Sequence, residues 1–137
     1  MAGPALIRAD ILEAMLSHVR REAELECCGL LAGRSGIISE ILPAENSLHS
    51  RIAYEISPRD LFHMFRRMRA EGLDHLGIYH SHPATENIPS PRDIELSCYP
   101  DQAHFIVSPR ADAIRPVRAF QIRDGRAEEM EISVVKS

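Results

Sequence analysis

No stretch of the 137-residue chain approaches the roughly 18 to 20 consecutive apolar residues that a helix needs to cross a bilayer. The amino terminus also lacks the basic-then-apolar order of a signal peptide, and the expected location is the cytoplasm. No strong basic block is present: 16 Lys and Arg against 20 Asp and Glu leave a net charge of −4. Neither nucleic acid nor an anionic membrane is therefore the expected partner. Cysteine is scarce, with only Cys27, Cys28 and Cys98. An odd total in a chain without an export signal argues against a disulfide framework and leaves core packing as the expected role. There is no CxxC pair, so neither a cysteine-based zinc site nor the HxE…PCxxC pattern of zinc deaminases is met. No low-complexity linker, long repeat or charge tract marks a second domain.

What is present suits one domain over residues 1–137, with 45% apolar and 26% charged residues. Residues 5–8 read as a short strand. Asp10, with Glu13 three residues on, offers the cap of a helix to about residue 23, striped by Ile11, Leu12, Met15, Leu16 and Val19. Residues 28–32 are continuously apolar, as in a strand buried on both faces, and 33–36 turn into a strand over 37–42 that stops at Pro43. Ile52, Tyr54 and Ile56 alternate with Arg51, Ala53 and Glu55, the period of a strand with one face inward. Ser57-Pro58 opens a second helix ending near Gly72, with Phe62, Met64, Phe65 and Met68 as packing residues. A central strand over 76–82, a loop over 83–89, a short helix from Pro91 toward Cys98 and a strand over 103–107 follow. Residues 117–122 and 127–135, joined by Asp124-Gly125, suggest a closing hairpin. This order gives an α/β sandwich with a curved, mostly antiparallel or mixed sheet.

The chemistry concentrates in His80-Ser81-His82-Pro83 and Ser90-Pro91-Arg92-Asp93. On a strand, side chains two apart share a face, so His80 and His82 can aim two imidazoles at one point while Ser81 faces away. Asp93 follows His82 by eleven residues, close enough for a loop to bring back a carboxylate. Three protein ligands and a water make the catalytic zinc pattern. An HxH pair by itself does not define a metal site, and Ser-Pro-Arg-Asp also reads as an ordinary helix start. The chain holds its own control, since Ser57-Pro58-Arg59-Asp60 repeats the tetrapeptide without an HxH. Only the combination marks the second copy. His18, His49, His63, His75 and His104 lack any such spacing and are expected at the surface or in satisfied, partly buried positions.

His80-x-His82-Pro83, six residues, then Ser90-x-x-Asp93 resembles the signature of the JAMM (MPN-plus) metalloprotease family. That family also carries a Glu three residues before a Gly at the head of a buried strand, matched here by Glu26 and Gly29 in Glu26-Cys27-Cys28-Gly29-Leu30-Leu31-Ala32-Gly33. The resemblance implies the JAMM/MPN fold, a cytidine-deaminase-like mixed sheet between helices, in a single domain. It implies one catalytic zinc ion (Zn2+) held by His80, His82 and Asp93, Glu26 as general acid/base, and Ser90 as a donor to the oxyanion. Without it, Glu26 would read as a solvated acid beside Glu22 and Glu24.

The implied reaction is hydrolysis of the peptide or isopeptide bond after the C-terminal Gly-Gly of a ubiquitin-like or sulfur-carrier protein. Tyr79-His80-Ser81-His82 and Ala84-Thr85-Glu86 are similar to small bacterial members that release cysteine from a sulfur carrier in cysteine biosynthesis. Two other readings stand beside this one. A noncatalytic MPN interaction scaffold would ordinarily have lost the zinc ligands, whereas a zinc hydrolase of a small-molecule amide could use the same residues.

Overall fold

Strand β2 (Cys28–Arg34) has no polar face to offer solvent, and the sheet is built around it. The computed structural model describes residues 2–136. In chain order the other elements are β1 (Ala5–Arg8), α1 (Ala9–Arg21), β3 (Ile37–Ala44), α2 (Pro58–Ala70), β4 (Asp74–Ser81), α3 (Pro91–Leu96), β5 (Ala103–Val107), β6 (Val117–Arg123), β7 (Arg126–Met130) and β8 (Ile132–Val135). They form one eight-stranded sheet in the order β7-β6-β5-β4-β2-β3-β1-β8. β1 runs parallel to β3 and β8, and β4 to β5, while the remaining pairs are antiparallel. The expected α/β fold, a mixed sheet between helices, is thus the fold observed.

Its curvature follows from chain length. β7 and β8 are the two outer strands, yet only Glu131 separates them, so the edges meet within about 7 Å, two Cα steps. The curled sheet wraps α1, whose Ile11, Met15 and Val19 pack with Ile7, Leu31, Tyr79 and Phe105. On the opposite face Met64 and Met68 of α2 pack with Leu30, Leu42 and Ile78. Complete burial of residues such as Leu30 and Leu31 contributes about 1.5–3 kcal/mol each. Gly29 is required by close approach: a Cβ there would lie 2.5 Å from Tyr79 Cε1 and 2.6 Å from the Leu42 carbonyl oxygen.

Several local expectations are corrected. α1 begins at Ala9 with Arg8 at the cap position. Asp10 sits inside the first turn, where its carboxylate pairs with Arg8 and favours the helix dipole. The helix ends at Arg21. β3 continues through Pro43, tolerated because β1 covers only Ile37 and Ile38 and leaves the far end of β3 open on that side. Residues 51–56 form no strand; Ile52 is 77% exposed and the segment is a loop. The last alternating stretch is broken at Glu131, so β7 completes the hairpin with β6 while β8 joins β1. Asp124 and Gly125 both have positive φ, as that hairpin turn requires. Phe62 and Phe65 fall outside the α2 packing stripe and are exposed, and Cys98 is exposed where Cys27 and Cys28 are buried. No helix among the described residues is long and apolar enough to cross a membrane.

Candidate metal centre

β4 and the residue after it carry His80 and His82 on the face that Ile78 shares with α2, opposite the face of Tyr79 and Ser81. His82 lies one residue past the strand, and its amide donates to the Val107 carbonyl at 2.9 Å. The loop then returns to α3, where Ser90 is the N-cap. Ser90 Oγ accepts from the Asp93 amide at 3.1 Å, and Asp93 Oδ2 accepts from the Ser90 amide at 2.9 Å. This reciprocal box fixes the Asp93 rotamer. Both Ser-Pro-Arg-Asp copies cap helices, and Ser57 Oγ accepts from the Asp60 amide in the same way. In the second copy the Asp93 carboxylate faces the imidazoles of His80 and His82.

Three atoms converge. His80 Nε2 and His82 Nε2 are 3.1 Å apart, and Asp93 Oδ2 lies 3.2 Å from the first and 3.1 Å from the second. A tetrahedral ion with bonds of about 2.0–2.1 Å separates its ligands by about 3.3–3.4 Å. The triangle therefore already has nearly the dimensions of one face of a zinc coordination sphere. The proton inventory agrees. His82 Nδ1 must donate to the Glu86 carbonyl, 2.8 Å away, which leaves a lone pair on Nε2 when the ring is neutral. His80 Nδ1 is buried without a hydrogen-bond partner among the described residues and can carry that ring's proton. Two lone pairs and a carboxylate oxygen then face one another, an arrangement that a cation relieves. The residues fit a divalent metal.

Glu26 lies beside this triangle because of strand register. β2 pairs Cys28 with His80 in antiparallel fashion, so Glu26, two residues earlier on the same face, comes alongside His82. Ser81 secures the approach: its hydroxyl accepts from the Cys27 amide at 2.8 Å, and its amide donates to the Cys27 carbonyl at 3.0 Å. Carboxylate and imidazole donor atoms of Glu26, His80 and His82 lie within 4.8 Å of one another. Asp93 Oδ2 makes the tighter contacts with both rings, and Glu26 stands beside that triangle. Glu26 is only 5% exposed, not a solvated acid.

Electrostatics separate the carboxyl groups. Burial pushes Glu26 up to about 7, with His82 opposing and Asp93 reinforcing the shift. Burial also pushes Asp93 upward, but hydrogen bonds with His80 and His82 outweigh it and hold Asp93 well below the usual carboxylate range. His80 is lowered by burial, against the pull of Asp93, whereas His82 is raised because Asp93 and the Glu86 carbonyl outweigh its burial. A stability test follows for the chelator-treated chain. A carboxyl with a raised folded-state pKa favours folding at low pH, and that contribution is lost as pH rises toward the folded value. Relative to Glu26→Gln, wild-type stability is expected to fall from about pH 4.5 to about pH 7 and to level off above. Denaturant titrations at pH 5 and pH 8 measure the difference; a gap that does not change with pH contradicts it.

A cavity of about 210 Å³ opens beside His80 and Asp93, walled by Tyr54, Leu61, Ile78, Leu96 and Tyr99, with Arg92 also lining it. The Tyr54 ring stacks on His80 with centroids 4.5 Å apart, a contact concealed when residues 51–56 are read as a strand. The roles of Ser81 and Asn46 were equally hidden, since both bond to backbone groups distant in sequence. His18, Glu22 and Cys27 form another group of possible donors. There His18 is already satisfied by Tyr79 Oη at 2.6 Å and Glu22 at 2.8 Å, a buried structural histidine. His104 is likewise buried and bonded to the Tyr99 carbonyl.

An α/β fold with a triangle of metal-competent donor atoms and a buried carboxyl beside it defines the class of candidate metallohydrolases. Residues 8–123 match the family of prokaryotic homologs of the JAB domain, and the chain belongs to that family, of the JAMM/MPN type. It is 35% identical over 133 residues to the CysO-cysteine peptidase of Mycobacterium tuberculosis, covering 96% of this chain and 91% of that protein. It is 34% identical over 110 residues to a desampylase of Haloferax volcanii, covering 75% and 79%. Among solved structures, the JAMM metalloprotease-like zinc site in the proteasome and signalosome shares the fold, with a TM-score of 0.60 at 19% identity over 95% of this chain and 98% of that one. The chain is a JAMM-type peptidase.

Proposed function

We propose that this peptidase is zinc-dependent and hydrolyses the bond after the C-terminal Gly-Gly of a ubiquitin-like or sulfur-carrier protein. Release of cysteine from a sulfur carrier in cysteine biosynthesis is the favoured case. The observation that supports this most strongly is the 3.1–3.2 Å triangle of His80, His82 and Asp93 beside buried Glu26. Similarity to the CysO-cysteine peptidase points to the substrate class. Residues 1–137 are read as one JAMM domain in a cytoplasmic setting.

His80, His82 and Asp93 would hold one zinc ion, which when bound supplies an acidified water and a Lewis acid for the amide carbonyl. Glu26 would take the proton of the attacking water and return it to the leaving amine, a double role suited to a buried carboxyl beside the triangle. Ser90 Oγ already accepts from the Asp93 amide, so its own proton remains available for the oxygen that gains charge in the transition state. Gly-Gly matters because a backbone without side chains can run close to the wall formed by Tyr54 and Leu96. The five matched residues argue against a noncatalytic scaffold.

Incubating the zinc-loaded protein with a sulfur carrier extended by one cysteine tests this directly. The expected product is the carrier ending in Gly-Gly, lighter by one cysteine residue in the mass spectrum. An intact carrier, under conditions where a small peptide amide is cleaved, would move the substrate class to small molecules. Ser90→Ala is expected to lower turnover roughly 10- to 1000-fold as an oxyanion donor. Loss of the cap would cost about 1 kcal/mol of stability, and a denaturation curve on the same sample separates the two effects.

A further inference from the structure

Glu26 lies outside the strand that follows it. β2 begins at Cys28, so no ladder pair includes Glu26; on its C-terminal side the Cys27 amide is held by Ser81 Oγ at 2.8 Å. Its amide donates to the Ser50 carbonyl at 2.9 Å, and its carbonyl accepts from Asn46 Nδ2 at 3.0 Å. The same Asn46 amide group donates to the carbonyls of Ala53, at 2.9 Å, and Ser50, at 3.3 Å. Asn46 Oδ1 accepts from the amides of Leu48, at 3.0 Å, and Glu55, at 3.2 Å. Both protons and both lone pairs of one side chain, 7% exposed, are thereby used. Asn46 closes the loop of residues 46–55 on itself and clips that loop to the Glu26 peptide.

We propose that Asn46 is a positioning residue for the reaction, acting through Glu26. It carries no titratable group, and its hydrogen bonds are to backbone groups, so its contribution is the place of the Glu26 backbone. This rests on the proposed role of Glu26. The carboxylate must reach a water without binding the ion, and misplacement by about 1 Å can cost on the order of 100-fold in rate. A side chain that merely stabilised the loop would lower the amount of folded protein and leave the per-molecule rate of the folded fraction unchanged.

The test is a double-mutant cycle of Asn46→Ala and Glu26→Gln, read as kcat on the cysteine-extended carrier with zinc content measured on each protein. Asn46→Ala is expected to lower kcat about 10- to 100-fold with one zinc retained. In the Glu26→Gln background the same change should cost less than about 3-fold in single-turnover incubations, because coupled residues are not additive. Equal losses in both backgrounds overturn the proposal. Amide hydrogen exchange gives an independent arm: Asn46→Ala should accelerate exchange at Glu26 at least about tenfold while Ile78 and Phe105 stay protected in the sheet. Unchanged exchange at Glu26 also overturns it. If Asn46→Ala does not fold, Asn46→Asp takes its place in both arms, retaining the oxygen that faces Leu48 and Glu55 but losing the donor to Glu26. A fully active Glu26→Gln protein would defeat the role of Glu26, whereas the exchange measurement reports separately on whether Asn46 holds that peptide.

Discussion

Glu26→Gln is expected to bind zinc with wild-type stoichiometry and to cleave the extended carrier about 100- to 10,000-fold more slowly, the range for loss of a general acid/base. Glutamine keeps the size of the side chain and can fill the same buried space, but it cannot accept a proton from water. The proposed ligand triangle of His80, His82 and Asp93 does not include Glu26, so the substitution would remove no ligand. In the chelator-treated protein the variant should be the more stable of the two at pH 8, because it removes a carboxyl that burial disfavours when ionised. Metal analysis beside the cleavage assay decides the matter. Full activity would remove Glu26 from the mechanism, and loss of zinc would make it a ligand.

Removal of a ligand should have a still larger effect. His82→Ala and Asp93→Ala are each expected to lose bound zinc and, with it, all measurable turnover. The two differ in their side effects. Asp93 also accepts from the Ser90 amide at the start of α3, so its loss removes one half of the reciprocal box while Ser90 Oγ still accepts from the amide of residue 93. His82 ties its ring to the Glu86 carbonyl, so His82→Ala loosens the loop before α3 while leaving the Ser90–Asp93 box intact. If both variants lose zinc although the Ser90–Asp93 box is complete in only one of them, the common cause is the triangle. Retention of zinc by either would exclude that residue as a ligand.

How much of this was legible in the chain depends on what each residue bonds to. His80, His82, Ser90, Asp93 and Glu26 stand in a recognisable spacing; strand register brings Glu26 beside the two histidines, and the box with Ser90 turns Asp93 toward them. The buried strand at β2 was legible from its unbroken apolar run, and α2 from its Ser-Pro start. The alternation at Ile52, Tyr54 and Ile56 misleads, because the backbone groups of this loop are satisfied by Asn46 and by each other instead of by a neighbouring strand. The split at Glu131 was equally concealed: nothing in an alternating run tells that a curled sheet brings its opposite edge within reach. Asn46 and Ser81 are silent in sequence for the same reason, as their partners are main-chain atoms of other segments.

Crystals grown with zinc and measured at the zinc absorption edge test the centre most directly. One anomalous peak is expected at about 2.0–2.2 Å from His80 Nε2, His82 Nε2 and an Asp93 carboxylate oxygen, with Glu26 near the ion but not bonded to it. A peak at another site, or none at full zinc loading, would contradict the proposed hydrolase.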